Sequence, residues 1–142
     1  MLECLIIGDS IAVGTHMFMK ECSSYSIGGY NTWQWNKKFS DKKLESNNVI
    51  ISLGTNDHKG VKTRYELEKI RSKIKFSNVF WIMPPCNDGF CREDINKIVQ
   101  EIASKNGDII IGTNKVQKDN IHPSWRGYQE ISEKLKKDLK RY

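Results

Sequence analysis

What most restricts this chain is an alternation. Five short apolar runs, at residues 2–7, 25–27, 49–53, 79–83 and 109–111, are separated by stretches with a helical rhythm. In residues 61–74, Tyr65, Leu67, Ile70 and Ile74 fall on one broad apolar side. In residues 92–107, Ile95, Ile98, Val99 and Ile102 make a stripe that stops at Gly107. Near the C-terminus Tyr128, Ile131, Leu135 and Leu139 recur at three- and four-residue steps. A helix repeats its faces every ~3.6 residues, so each such stretch offers one apolar side to a neighbour. A short, continuous apolar run reads as a strand covered on both faces, which is the condition of a parallel sheet. The alternation therefore predicts an α/β fold, a three-layer sandwich around a five-stranded parallel sheet with right-handed crossovers; of the orders open to such a sheet, the flavodoxin-like 2-1-3-4-5 is the one we choose.

The 142 residues fit one domain spanning 1–142, a length that buries roughly 70% of the unfolded surface. No apolar run approaches the ~20 residues that span a bilayer. Glu3 stands where a secretory signal would carry positive charge, so a cytoplasmic location is the default expectation, with export by another route left open. The net charge of +6 comes from scattered lysines: Lys37-Lys38, Lys42-Lys43, Lys73, Lys75 and the mixed-charge segment 133–142. These read as solvated faces rather than an anionic-partner surface, and no nucleic-acid-binding signature accompanies them. Oligomeric state is not legible. Of the four cysteines, Cys4 reads as a small core residue. Cys86 and Cys91 read as free thiols in a reducing compartment, or as a closed loop in an oxidising one. His16, His58 and His122 show no paired ligand spacing, so neither a metal nor an organic cofactor is expected.

In an open parallel sheet, ligands gather in the loops at the carboxyl ends of the strands. Those loops read "GDSIAVG", "IGGYNT", "GTNDHKG", "PPCNDGFC" and "GTNKVQKDNIHPSW". Taken singly, their polar residues have bland readings. Ser10 is a helix cap or a nucleophile, Gly28-Gly29 a turn, Asn56-Asp57 a capped turn, and Asp119 with His122 a surface pair. Acyl transfer, however, needs a nucleophilic oxygen, a base, an acid that orients the base, and donors for a developing oxyanion. Four loops on one predicted sheet edge supply those roles in order: Ser10, then Gly29, then Asn56, then Asp119 and His122 three residues apart.

Read together, the blocks resemble the SGNH hydrolases, the GDSL-type esterase and lipase superfamily. "GDSI" at 8–11 is similar to the block that carries the nucleophile, "SIGGYNT" at 26–32 to the block of the oxyanion glycine, "GTND" at 54–57 to the block of the oxyanion asparagine, and "DNIH" at 119–122 to the D-x-x-H block. The resemblance implies an SGNH hydrolase fold and a triad of Ser10, His122 and Asp119. It also implies an oxyanion hole from the Ser10 and Gly29 backbone N–H groups and the Asn56 amide. Tyr30 departs from the pattern, standing where many relatives have a small or acidic polar residue. The G-x-S-x-G elbow of the α/β-hydrolases is absent, because "GDSIA" lacks the second glycine.

Asp9, Gly28, Tyr30, His58 and Trp125 are the candidate substrate-contacting residues, with His58 a loop residue rather than a second base. Trp81 is expected in the core and Trp33 and Trp35 in packing, leaving Trp125, three residues after His122, as the sugar platform. The expected activity is hydrolysis of a small acyl ester, foremost acetyl on a carbohydrate, through an acyl-serine. The partner is then a small-molecule or glycan ester. The alternatives are a lysophospholipase or thioesterase, an acyltransferase, and a silent module that binds polysaccharide or polyanion.

Overall fold

The computed structural model describes residues 3–139. Leu2 of the first apolar run, and Lys140, Arg141 and Tyr142 of the charged C-terminal segment, lie outside the described residues. Strands are β1 (Cys4–Gly8), β2 (Ser23–Ser26), β3 (Asn48–Ser52), β4 (Asn78–Ile82) and β5 (Ile109–Ile111). Helices alternate with them: α1 (Ser10–Phe18), α2 (Thr32–Lys38), α3 (Thr63–Ser72), α4 (Glu93–Asn106) and α5 (Trp125–Asp138). All strand pairs are parallel, in the order β2-β1-β3-β4-β5. This is the flavodoxin-like order chosen from the sequence. No described helix is long and apolar enough to cross a membrane.

Because strand side chains alternate, the sheet has two cores. Leu5, Ile7, Val49, Ile51, Val79 and Trp81 pack with Leu67 and Ile70 of α3 and Val99 and Ile102 of α4. Cys4, Ile6, Ile50, Phe80 and Ile82 pack on the other face with Ile11 and Ala12 of α1 and Ile131 and Leu135 of α5. The helical stripes thus bury most of the residues the periodicity picks out. Tyr65 is an exception: it is 62% exposed, because α3 turns its Leu67–Ile70 edge to the sheet. The edge strands also differ from expectation. β2 begins at Ser23, not Tyr25, and is largely polar, while Ile109 and Ile110 of β5 are exposed. A strand with one neighbour is held mainly by its ladder of backbone bonds and needs less apolar cover.

The cysteines correct the free-thiol reading. Cys4 and Cys22 are joined, and so are Cys86 and Cys91. Cys4 is buried as expected, but the parallel register that pairs Leu5 with Ser23 sets Cys22 beside it. Cys86 and Cys91 face each other because the chain folds back between them, where Asn87 Oδ1 accepts the N–H groups of Gly89 and Phe90. Both pairings depend on register and turn geometry, which composition does not carry.

Candidate active site

β1 and β3 end against each other. Gly8 has φ +144°, and a Cβ there would fall 1.8 Å from the Ser52 carbonyl oxygen, so only glycine lets the two strand ends close. Asp9 N–H then donates to that same oxygen at 3.0 Å. Asp9 is the cap of α1: its Oδ1 accepts from Ile11 N–H at 3.0 Å and from Ser52 Oγ–H at 3.1 Å. Ser10 is therefore the first helical residue rather than the cap, and its hydroxyl is left for other partners.

That partner is 112 residues away. Ser10 Oγ lies 2.9 Å from His122 Nε2, and His122 Nδ1 lies 2.6 Å from Asp119 Oδ2. Asp119 is held down to about 2, first by the His122 side chain and then by the N–H of Ile121, so it is an ionised acceptor. An acceptor at that position places the proton on Nδ1 and leaves the Nε2 lone pair facing the Ser10 hydroxyl. Asp119 Oδ1 also accepts the Ile121 and His122 N–H groups, at 2.9 and 3.0 Å, fixing the carboxylate to its own turn. Tyr128, below this loop, is pushed up to about 12 by burial and then by the charges of Asp9 and Asp119, so its hydroxyl stays protonated.

The second and third loops stand next to the serine and to each other. A Cβ on Gly28 would lie 3.7 Å from Ser10 Cβ, so this glycine rests against the serine. Gly29 is exposed with φ +81°, a left-handed conformation that favours glycine. Asn56 Nδ2 donates to the Tyr30 carbonyl at 3.0 Å, tying the third loop to the second and leaving its other N–H for a ligand. The N–H of Ser10 has no acceptor within its own helix, as at any first-turn position.

The tertiary structure has known counterparts at low sequence identity. A GDSL-like lipase of Bacteroides thetaiotaomicron superposes with a TM-score of 0.70 at 16% identity, over 95% of this chain and 86% of that one. The catalytic domain of a Streptococcus pneumoniae peptidoglycan O-acetyltransferase gives 0.65 at 19% identity, over 95% and 90%. A carbohydrate esterase family 2 enzyme of Corynascus thermopiles gives 0.60 at 14% identity, over 96% and 64%. The chain has the SGNH hydrolase fold. No family model and no curated protein sequence matches it.

Within this fold the remaining candidates separate. Asp9 is fully buried and cannot touch a substrate, which corrects its assignment as a contact residue: the cap needs its carboxylate beneath the loop. His58 faces a groove whose lining includes neither Ser10 nor His122, a different one from that implied by its assignment as a contact residue. Its Nδ1 accepts Gly60 N–H at 3.1 Å, and it lines a groove of about 830 Å³ between α2 and α3 with Trp33, Val61 and Tyr65. Trp35 and Trp81 are core residues, whereas Trp33 is 50% exposed and Trp125 67% exposed, the latter edge-on to Phe18. Among the described residues no cluster of three or more His, Cys or carboxylate side chains is arranged to hold a metal.

Several residues hold these loops without taking part in the chemistry the motifs point to. Asp57 is buried and accepts from Thr32 N–H, Thr32 Oγ–H and Thr63 Oγ–H at 2.7–2.9 Å, pinning the starts of α2 and α3 under the Asn56 loop. Asn31 and Gln34 form a reciprocal capping box on α2, a spacing of three that was visible in "NTWQ". Arg92 Nη1 donates to the Thr55 carbonyl at 2.9 Å, and Asn87 Nδ2 to the Asn120 carbonyl at 2.9 Å. No local signal identifies those two, since each partner is more than 30 residues away.

Proposed function

We propose that this chain is a serine ester hydrolase acting through an acyl-Ser10 intermediate. The observation that carries the reading is the unbroken line from Asp119 Oδ2 to His122 to Ser10 Oγ, with contacts of 2.6 and 2.9 Å. As Ser10 Oγ attacks an ester carbonyl, His122 Nε2 takes its proton and the imidazolium is held by the Asp119 carboxylate. The carbonyl oxygen gains negative charge and is met by the Ser10 and Gly29 N–H groups and the free Asn56 N–H. His122 then returns the proton to the departing alcohol, and a water activated by His122 releases the acid from Ser10.

Acetyl on a carbohydrate is the substrate class the surroundings favour. The cavity lined by Ile11, Ile121 and Pro123, the sequence neighbours of Ser10 and His122, holds about 10 Å³, room for no more than one water, so the interior next to these residues offers no tunnel for a fatty chain. Outside, Trp125 presents an open indole three residues after His122, and the Trp33–Tyr65 groove adjoins the loops of Tyr30 and Asn56. Flat aromatic faces suit sugar rings. The names of two solved relatives, a peptidoglycan O-acetyltransferase domain and a carbohydrate esterase, agree with this choice.

The test is hydrolysis of p-nitrophenyl esters from C2 to C8 and of acetylated oligosaccharides, with Ser10→Ala as control. Wild type should prefer C2, release acetate from the oligosaccharide and label with a fluorophosphonate. Ser10→Ala should do none of these. Wild-type rates in Ser10→Ala end the nucleophile assignment, and a preference for C8 redirects the reading to lipid esters.

A further inference from the structure

The loop after β4 touches both halves of the candidate site. On one side, Asn87 Nδ2 donates to the carbonyl of Asn120, the residue after Asp119. Asn120 has φ +61°, the one non-glycine positive value among the described residues, in a left-handed conformation that asparagine adopts more readily than other side chains. Gly89 packs flat on the Asn120 side chain, where a Cβ would come within 2.3 Å of Nδ2. On the other side, Arg92, next to Cys91, donates to the carbonyl of Thr55, the residue before Asn56. Burial does not hold the Asp–His pair: the Asp119 and His122 side chains are 41% and 36% exposed. Its geometry rests on hydrogen bonds, and Asn87 supplies one from another loop.

We propose that the hairpin closed by Cys86–Cys91 is a redox-sensitive clamp that holds the acid–base loop and the oxyanion loop in register. Asn87 and Arg92 are its positioning residues, and the proposal rests on the ester-hydrolase reading above. Both cysteines of this bridge are exposed, whereas Cys4 and Cys22 are buried. A dithiol therefore reaches Cys86–Cys91 first. Its thiolate attacks one sulfur to give a mixed disulfide, and its second thiol then displaces the protein. Two electrons and two protons end on Cys86 and Cys91 as thiols, and the dithiol leaves as its own cyclic disulfide. With the ring open, the turn that aims Asn87 is no longer closed, and the triad loop loses its external tether.

The experiment measures p-nitrophenyl acetate hydrolysis by the oxidised protein, by protein treated with dithiothreitol until two thiols titrate, and by Cys86→Ser/Cys91→Ser and Asn87→Asp. A misplacement on the ångström scale typically costs about 10-fold to 10²-fold in rate, so reduction should lower kcat by at least about 10-fold. KM and the melting temperature should hardly change, and oxidised glutathione should restore the rate. The double serine variant should start low and ignore dithiol. Asn87→Asp keeps the acceptor for Gly89 and Phe90 but loses the donor to Asn120, and should lower kcat without lowering the melting temperature. Unchanged kcat with two thiols counted overturns the clamp, and so does a kcat that falls only in step with stability. If the oxidised protein is no faster than Ser10→Ala, the ester-hydrolase reading fails instead. The clamp is then judged by amide exchange at Ile121 and His122: faster exchange after reduction supports it, and unchanged exchange overturns it.

Discussion

Asp9 offers a measurable consequence of how the nucleophile loop is built. Burial raises its carboxyl from 3.8 to about 6, against the lowering effect of the hydrogen bonds from Ile11 and Ser52, and Oδ2 has no partner. The folded protein thus holds this proton more tightly than the unfolded chain. The sign follows: stability from this group is fully present below pH 3.8, is lost as pH rises through about 6, and is constant above. A rise of about 2 units corresponds to about 3 kcal/mol, of which about 2 kcal/mol falls between about pH 4 and about pH 7. Asn at this position keeps an acceptor for the Ile11 N–H and cannot ionise. Any cost of its unpartnered amide N–H is the same at every pH. The difference in unfolding free energy, Asp9→Asn minus wild type, should therefore grow by about 2 kcal/mol from about pH 4 to about pH 7. Urea titrations followed by tryptophan fluorescence can read it, since Trp35 and Trp81 are fully buried and report unfolding. Parallel stability curves for the two proteins across that range would refute the argument that burial dominates at Asp9.

The other expectations concern the site and one support. Asn56→Ala should fold and lose roughly 10²–10³ in kcat on p-nitrophenyl acetate, the usual cost of one oxyanion donor; a loss under threefold would remove Asn56 from that role. His122→Ala should be near the Ser10→Ala floor. Asp119→Asn should be impaired less severely, because its exposed position lets water replace part of the lost acceptor; equal, wild-type-like rates for both would remove the pair from the mechanism. Asp108 receives Arg71 Nε–H and Nη2–H at 2.8 and 2.9 Å and Trp81 Nε1–H at 2.9 Å. Asp108→Ala leaves the Nε and Nη2 donors of a mostly buried guanidinium and an indole N–H unpaired, with only Nη1 still held by the Ile74 carbonyl, and should cost about 3 kcal/mol in urea unfolding while sparing kcat.

The alternation of apolar runs and helical stripes located the five strands, the largely polar second one only roughly, and called for a parallel sheet, because periodicity is a local property and each stripe must find cover; the order of the strands is set by how the chain crosses over, which periodicity does not record. The same alternation set Ser10 at a helix start and Gly29, Asn56 and His122 in loops at one edge, since every strand of a parallel sheet ends on the same side. Tertiary structure alone decided which side chains in those loops meet. Asp9 turned inward as a cap where the sequence allowed a substrate contact, because its carboxylate is taken up by the Ile11 N–H and the Ser52 hydroxyl. His58 was drawn to the α2–α3 groove, and Tyr65, on an apolar stripe by spacing, was left facing solvent. The Cys86–Cys91 bridge closes the short loop that the sequence left open as an alternative, whereas Cys4–Cys22 and the bonds from Asn87 and Arg92 join residues whose nearness comes from strand register and the packing of distant loops. Such contacts depend on the path of the whole backbone, and the identity of neighbouring residues carries no record of it.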